Sequence, residues 1–252
     1  EHFECYATVD EMEDAFVAFL ERVKPGGAVV ASRGAGPARG AQLDRVVARA
    51  GLEASGVAVH RYASRENARA GDWTYGEFRP TGTSGCSFVV TPPTGAPITA
   101  QLDVPGEHDA MNAVAACLAA TRAGVAPEAS LASLRSFRGV RRRYQVIADG
   151  SIRMVEDYAH HPTEVRATLA AARASAPSGR LWAVFQPHLR VRTERLFDDF
   201  VSALAGADRV VLADVYSPPG REPDGNYRGS RELVASLRAA YPHVAATYAA
   251  SN

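Results

Sequence analysis

The chain has 252 residues, 46% of them hydrophobic and 22% charged, enough apolar material for one large or two ordinary folded domains. Lys and Arg balance Asp and Glu at 28 each, so no chain-wide field marks the chain for nucleic acid or a membrane surface, and small-molecule or protein partners are expected. The three cysteines, Cys5, Cys86 and Cys117, show neither a C-x-x-C pair nor zinc-ligand spacing. No apolar run approaches the ~18 residues of a membrane span, so a reducing, cytoplasmic setting is expected. Lys24 is the only lysine, which limits any chemistry needing an amine to that residue. The opening EHFECY lacks a Met and is already motif-like, so the sequence is expected to be a piece of a longer protein.

In chain order, Met12, Ala15, Phe16, Phe19, Leu20 and Val23 recur at helical spacing, and Pro25-Gly26-Gly27 stops that helix before a strand at 28–31. The punctuated stretch RGAGPARG (33–40) leads to a helix at 42–50 and an apolar alternation at Val57, Val59 and Arg61. Short alternating runs at 73–79, 86–91 and 98–104, separated by turn residues, predict an antiparallel meander covering one sheet edge. A long apolar helix at 110–123 and a shorter one at 127–137 follow, with a domain boundary near Gly139. Beyond it, strands near 145–148, 152–155, 181–185, 209–215 and 243–247 alternate with helices from Pro162, at 193–204 and at 230–240. That rhythm predicts a parallel, doubly wound α/β sheet.

The richest stretch is Glu156-Asp157-Tyr158-Ala159-His160-His161-Pro162-Thr163-Glu164-Val165, placed where a strand gives way to a helix. Open α/β sheets bind ligands at such strand ends, and a helix opening on Pro162 points free N–H groups and a positive dipole end at an anion. His160 and His161 are a candidate metal pair, but neighbouring side chains point apart and neither is read as having a helix-face partner, so a zinc hydrolase is not expected. FRGVRRRY puts Arg141, Arg142 and Arg143 at the inferred boundary, as a cationic fork for phosphate or carboxylate or as a plain solvated turn. FQPHLRVRT places His188, Arg190 and Arg192 at another strand end, and PGEHDAMNA puts Asn112 one to two turns into a helix, where its amide suits a base edge or a neighbour.

The ordered series EHFECY, PGEHDAMNAVAA, FRGVRRRY, EDYAHHPTEV, FQPHLRVRT and ADVYSPPGREP resembles the alanine-adding branch of the Mur ligase family from residue 1 to about 235. The resemblance implies a partial central ATPase domain, a mixed sheet with helices at 1–139, followed by a Rossmann-like C-terminal domain at 140–252. It implies ATP and Mg2+ as cofactors and UDP-N-acetylmuramate and L-alanine as partners in peptidoglycan precursor synthesis, through an acyl phosphate. By motif, His2 resembles the magnesium-associated histidine, although Glu1 stands where Asp is usual, and Asn112 the adenine-reading amide. Arg142 and Arg143 resemble the phosphate-reaching pair and Asp157 the acid near the nucleotide, while Tyr158, His160, His188 and Arg192 resemble the groups facing the acyl phosphate and alanine.

Leu189, Glu107 and RGAGPARG depart from the family pattern, and no G-x-x-x-x-G-K-[ST] occurs. The phosphate-cradling loop and the UDP-binding region are therefore expected before residue 1 and a final Gly-rich segment beyond Asn252, leaving the isolated chain inactive. Two other readings stay open: a sister ligase adding a preformed peptide, and a non-catalytic relative that binds nucleotide or UDP-sugar.

Overall fold

The computed structural model describes residues 5–34, 37–218 and 226–250, the side chains of 37–39 excepted. Of the described residues, those from Thr8 to Arg138 form one compact unit, and those from Gly139 onward, with residues 5–7, form the other.

In the first unit, α1 (Val9–Leu20) starts where Thr8 Oγ1 accepts the Glu11 N–H at 3.2 Å, an N-cap that satisfies one orphan donor. The chain breaks at Gly26, whose φ of +79° is open to glycine, and continues as β1 (Ala28–Ser32), α2 (Pro37–Arg49) and β2 (Ala58–Ser64). Next come β3 (Trp73–Thr81), β4 (Gly85–Thr91), β5 (Ile98–Leu102), α3 (Glu107–Arg122) and α4 (Pro127–Leu134). The five strands make one mixed sheet in the order β1-β2-β3-β4-β5, parallel from β1 to β3 and antiparallel from β3 to β5.

The meander is therefore continuous with the parallel strands and covers their β2 edge by pairing with it. A short loop suffices because only Tyr62–Ser64 of β2 pair with Trp73–Tyr75 of β3, so the chain backtracks by a few residues and needs no full crossover. Phe88, Val90, Val114, Cys117 and Leu118, each 1% exposed or less, form the centre of this core where the Ala-rich α3 meets the sheet.

In the second unit, β6 (Gln145–Asp149) and β7 (Arg153–Glu156) pair antiparallel in a sheet of their own. They do not join the parallel sheet expected from the β/α rhythm, because the turn at Gly150-Ser151-Ile152 is far shorter than the dozen or so residues a parallel crossover needs. There follow α5 (Pro162–Ser175), β8 (Trp182–Phe185), α6 (Arg190–Arg195), α7 (Phe197–Leu204), β9 (Arg209–Leu212), α8 (Ser230–Ala240) and β10 (Ala245–Tyr248). Strands β8, β9 and β10 are parallel in the order β10-β9-β8. The helix expected at 193–204 is two, because Leu196 leaves helical geometry at φ −109°, ψ 24°.

Phe200, Leu204, Val210, Leu212, Leu233 and Leu237, all 0% exposed, join α7, β9 and α8 into one core. Burying each large apolar side chain contributes about 1.5–3 kcal/mol. Among the described residues, no helix is long and apolar enough to cross a membrane.

Candidate active site

Most of the residues singled out in the sequence lie in the second unit, where β7 gives way to α5. Pro162 occupies the first turn of α5 and His161, extended at φ −114°, is its N-cap. Asp157 is consumed by backbone: Oδ2 accepts the Tyr144 N–H at 2.8 Å and Oδ1 the Ala159 N–H at 2.6 Å. It thus ties the arginine turn to the end of β7. That turn holds Arg142 at φ +60° and Tyr144 at φ +43°, left-handed conformations that cost a non-glycine residue about 1–3 kcal/mol each. Bonds hold it: Arg142 N–H donates to Gln145 Oε1 at 3.0 Å, and Tyr158 N–H donates to Arg142 O at 2.7 Å.

The two readings of the arginine run meet here. Arg142 and Arg143 are about half exposed, yet both guanidinium carbons lie over the Tyr158 ring, 4.6 and 5.8 Å from its centroid. Arg142 Nε also approaches Glu156 at 3.3 Å and Arg143 approaches Glu164 at 3.5 Å, so aromatic face and carboxylates together aim the pair. The Tyr158 ring also packs against His160, centroids 4.9 Å apart and planes tilted by 54°.

His160 Nδ1 lies 2.7 Å from Tyr158 O. A carbonyl can only accept, so the bond puts the proton on Nδ1 and, in the neutral ring, the lone pair on Nε2. Burial lowers the pKa of His160, and the nearby His161 and Arg192 lower it further, against the Tyr158 carbonyl and Glu164, so the ring is held neutral at neutral pH. Arg192 of the FQPHLRVRT segment is 3% exposed on α6, in the same unit as His160.

Glu164 was passed over in reading the sequence, although a Glu three residues after a cap is the mark of a capping box. Its Oε2 accepts the N–H groups of His160 at 2.9 Å and His161 at 3.1 Å, and lies 3.3 and 3.4 Å from their Nδ1 atoms. Burial alone would raise this carboxyl, but the hydrogen bonds from the His161 side chain and from the backbone N–H groups of His160 and His161 outweigh it and hold it well below the usual carboxylate range.

The expectation that the two histidines diverge without a helix-face partner is corrected: their ring centroids are 4.4 Å apart, and Glu164, four residues beyond His160, lies against both. The three form the one convergent group of metal-ligand side chains among the described residues. It does not fit magnesium, which prefers oxygen donors, because two of the three groups are imidazoles and the carboxylate is occupied by N–H groups. His2, the expected magnesium residue, lies outside the described residues.

His188 is half-buried at the exit of β8, its ring centroid 5.1 Å from that of Tyr216. The next residue, Leu189, is 5% exposed at φ +70° and caps α6, where its carbonyl accepts both the N–H and the hydroxyl of Thr193 at 3.0 Å. Asn112 lies in the first unit, exposed on α3 with Nδ2 3.5 Å from Asp109 Oδ1. The structure thus gathers Arg142, Arg143, Asp157, Tyr158, His160 and Arg192 within one unit, with His188 at a neighbouring strand end of the same unit.

A profile of the Mur ligase glutamate ligase domain matches residues 142–251. Over 257 aligned residues the chain is 40% identical to the UDP-N-acetylmuramate–L-alanine ligase of Saccharopolyspora erythraea, an alignment covering 100% of this chain and 49% of that protein. The chain belongs to the Mur ligase family. It is also 40% identical to the ligase of the same name from Mycolicibacterium gilvum, over 86% of this Mur ligase chain and 44% of the relative. The fold of UDP-N-acetylmuramate-alanine ligase from Thermotoga maritima superposes with a TM-score of 0.69 at 21% identity, covering 100% of this chain and 49% of that one. This Mur ligase chain therefore spans about half the length of the relatives it matches.

Proposed function

We propose that the chain is part of an ATP-dependent ligase that joins L-alanine to UDP-N-acetylmuramate in the cytoplasm, with residues 1–139 belonging to a central ATPase domain and 140–252 forming the C-terminal domain. The observation that carries the reading is the convergence of the Arg142 and Arg143 guanidinium groups on the Tyr158 ring beside His160, in a chain 40% identical to alanine-adding ligases.

In this reaction the lactyl carboxylate oxygen bonds to the γ-phosphorus of ATP as the bond to ADP breaks. The amine of alanine then adds to the acyl phosphate carbon, loses a proton, and the tetrahedral intermediate expels phosphate. Charge stabilisation is the main demand. Arg142 and Arg143, aimed by the Tyr158 ring, supply cations for the ATP phosphates, and Asn112 supplies the amide for adenine. Asp157 acts for the nucleotide by holding the arginine turn, since both of its oxygens bind backbone.

His160, with its proton fixed on Nδ1, offers the Nε2 lone pair to an N–H of the incoming amine. Arg192 and His188 face the developing negative charge on the acyl phosphate, and Tyr158, beside His160, faces the same reacting groups. Magnesium, assigned to His2, would neutralise phosphate charge when bound.

The sequence holds no phosphate-cradling G-x-x-x-x-G-K-[ST], and the expected outcome for the 252-residue chain assayed alone is no ATP turnover. The test uses the full-length parent with ATP, L-alanine and UDP-N-acetylmuramate labelled with 18O in the lactyl carboxylate. One label appears in the released phosphate if an acyl phosphate forms; unlabelled phosphate accompanying product would sink the mechanism.

A further inference from the structure

Tyr216 stands outside the groups assigned above. The chain leaves β8 at Phe185 and β9 at Leu212, and the two exiting segments stay laced together. Ala213 N–H donates to Phe185 O at 3.0 Å, and Gln186 Nε2 donates to Asp214 O at 3.1 Å. Tyr216 N–H then donates to Pro187 O at 2.8 Å, and Leu189 N–H returns to Tyr216 O at 2.7 Å. His188 lies between the last two bonds, opposite Tyr216 in a parallel bridge, with the ring planes 34° apart.

The turn that follows needs such a clamp. Leu189, buried at φ +70°, is in a left-handed conformation that a branched side chain adopts only when its surroundings impose it. The Tyr216 carbonyl receives its N–H and so holds the point from which His188 projects. The Tyr216 side chain is itself 48% exposed, so it fills little core, and its packing partner in this segment is the imidazole.

We propose that Tyr216 is a positioning residue for His188: its backbone clamps the His188-Leu189 turn and its ring sets the plane of the imidazole. The inference rests on the role proposed for His188, and two readouts separate the two. In the 252-residue chain labelled with 13C-histidine, the His188 Cε1–Hε1 resonance is identified by its loss in His188→Gln. Tyr216→Ala shifts that resonance and leaves the other histidines in place, whereas Tyr216→Phe, which keeps the ring, leaves it near its original position.

In the full-length parent, Tyr216→Ala lowers kcat about tenfold by misorienting His188, with little change in the KM for ATP. Tyr216→Phe restores the rate, and the double variant with His188→Ala is no slower than His188→Ala alone. A His188 resonance unmoved by Tyr216→Ala, or independent losses that multiply in the double variant, overturns the proposal. If His188→Ala keeps full turnover while Tyr216→Ala still moves the resonance, the reaction role of His188 fails and the positioning pair stands.

Discussion

Glu164→Ala is the most informative single change in the second unit, because the carboxylate supports both histidines at once. The substitution leaves the His160 and His161 N–H groups, bonded at 2.9 and 3.1 Å, without their acceptor. Charge-assisted bonds of this kind contribute about 1.5–3 kcal/mol each. With the side chain 33% exposed, water replaces part of the loss, and a net cost of about 2 kcal/mol is expected, at the upper end for a helix cap. At roughly 4 °C per kcal/mol for a unit of this size, Tm falls by about 8 °C.

The pH dependence supplies a sharper signature. A carboxyl held below its ordinary 4.5 in the folded state contributes stability that is complete above that value and lost as pH falls through the folded one. The gap between wild type and Glu164→Ala therefore narrows below about pH 4.5. Glu164→Gln, which keeps an acceptor without charge, falls between the two and lacks the acid-dependent part. Urea unfolding followed by circular dichroism, with hydrogen exchange at the His160 and His161 amides, reads both effects. An unchanged midpoint, or a gap constant from pH 7 to about pH 3, would refute the reasoning.

Other outcomes follow from the same geometry. In the full-length parent, Arg143→Ala lowers kcat/KM for ATP by about 10²-fold, and an unchanged rate removes it from the site. His188→Ala lowers turnover by about 10²-fold while ATP affinity, measured by calorimetry, stays nearly intact. In the first unit, Asp72 is 2% exposed at its side chain and paired with Arg33 at 2.9 Å, with Arg33 also reaching Asp44. Burial alone would raise the Asp72 carboxyl, but Arg33 and the Arg69 N–H hold it low. Asp72→Asn leaves Arg33 short of its buried partner and costs about 3 kcal/mol by urea unfolding, a loss that an equally stable variant would contradict.

Much of the fold was legible because its signals are local. Pro162 opening α5, the Pro25-Gly26-Gly27 stop before β1 and the apolar run of α3 each act within a turn or two of themselves. Several features of the site act over longer separations. Asp157 binds the Tyr144 N–H across 13 residues, in a turn whose positive φ values fall on Arg142 and Tyr144, where no glycine announces them. The pairing of His188 with Tyr216 depends on β8 and β9 lying in register, which periodicity cannot supply.

Two misses were avoidable. Asp149-Gly150 between short apolar runs is a hairpin signal, and Glu164 stood at capping-box spacing. The departures are clarified in part: Leu189 is buried at a strained cap, and Arg33 of RGAGPARG is tied into a network with Asp44 and Asp72.

The claim that this chain comes from an alanine-adding ligase is tested most directly by phosphate release from the full-length parent, given ATP, magnesium and UDP-N-acetylmuramate with either L-alanine or a preformed tripeptide. The expected release depends on L-alanine and is absent with the tripeptide. Release with the tripeptide alone would place the protein among the peptide-adding relatives, and release with neither would contradict the catalytic reading.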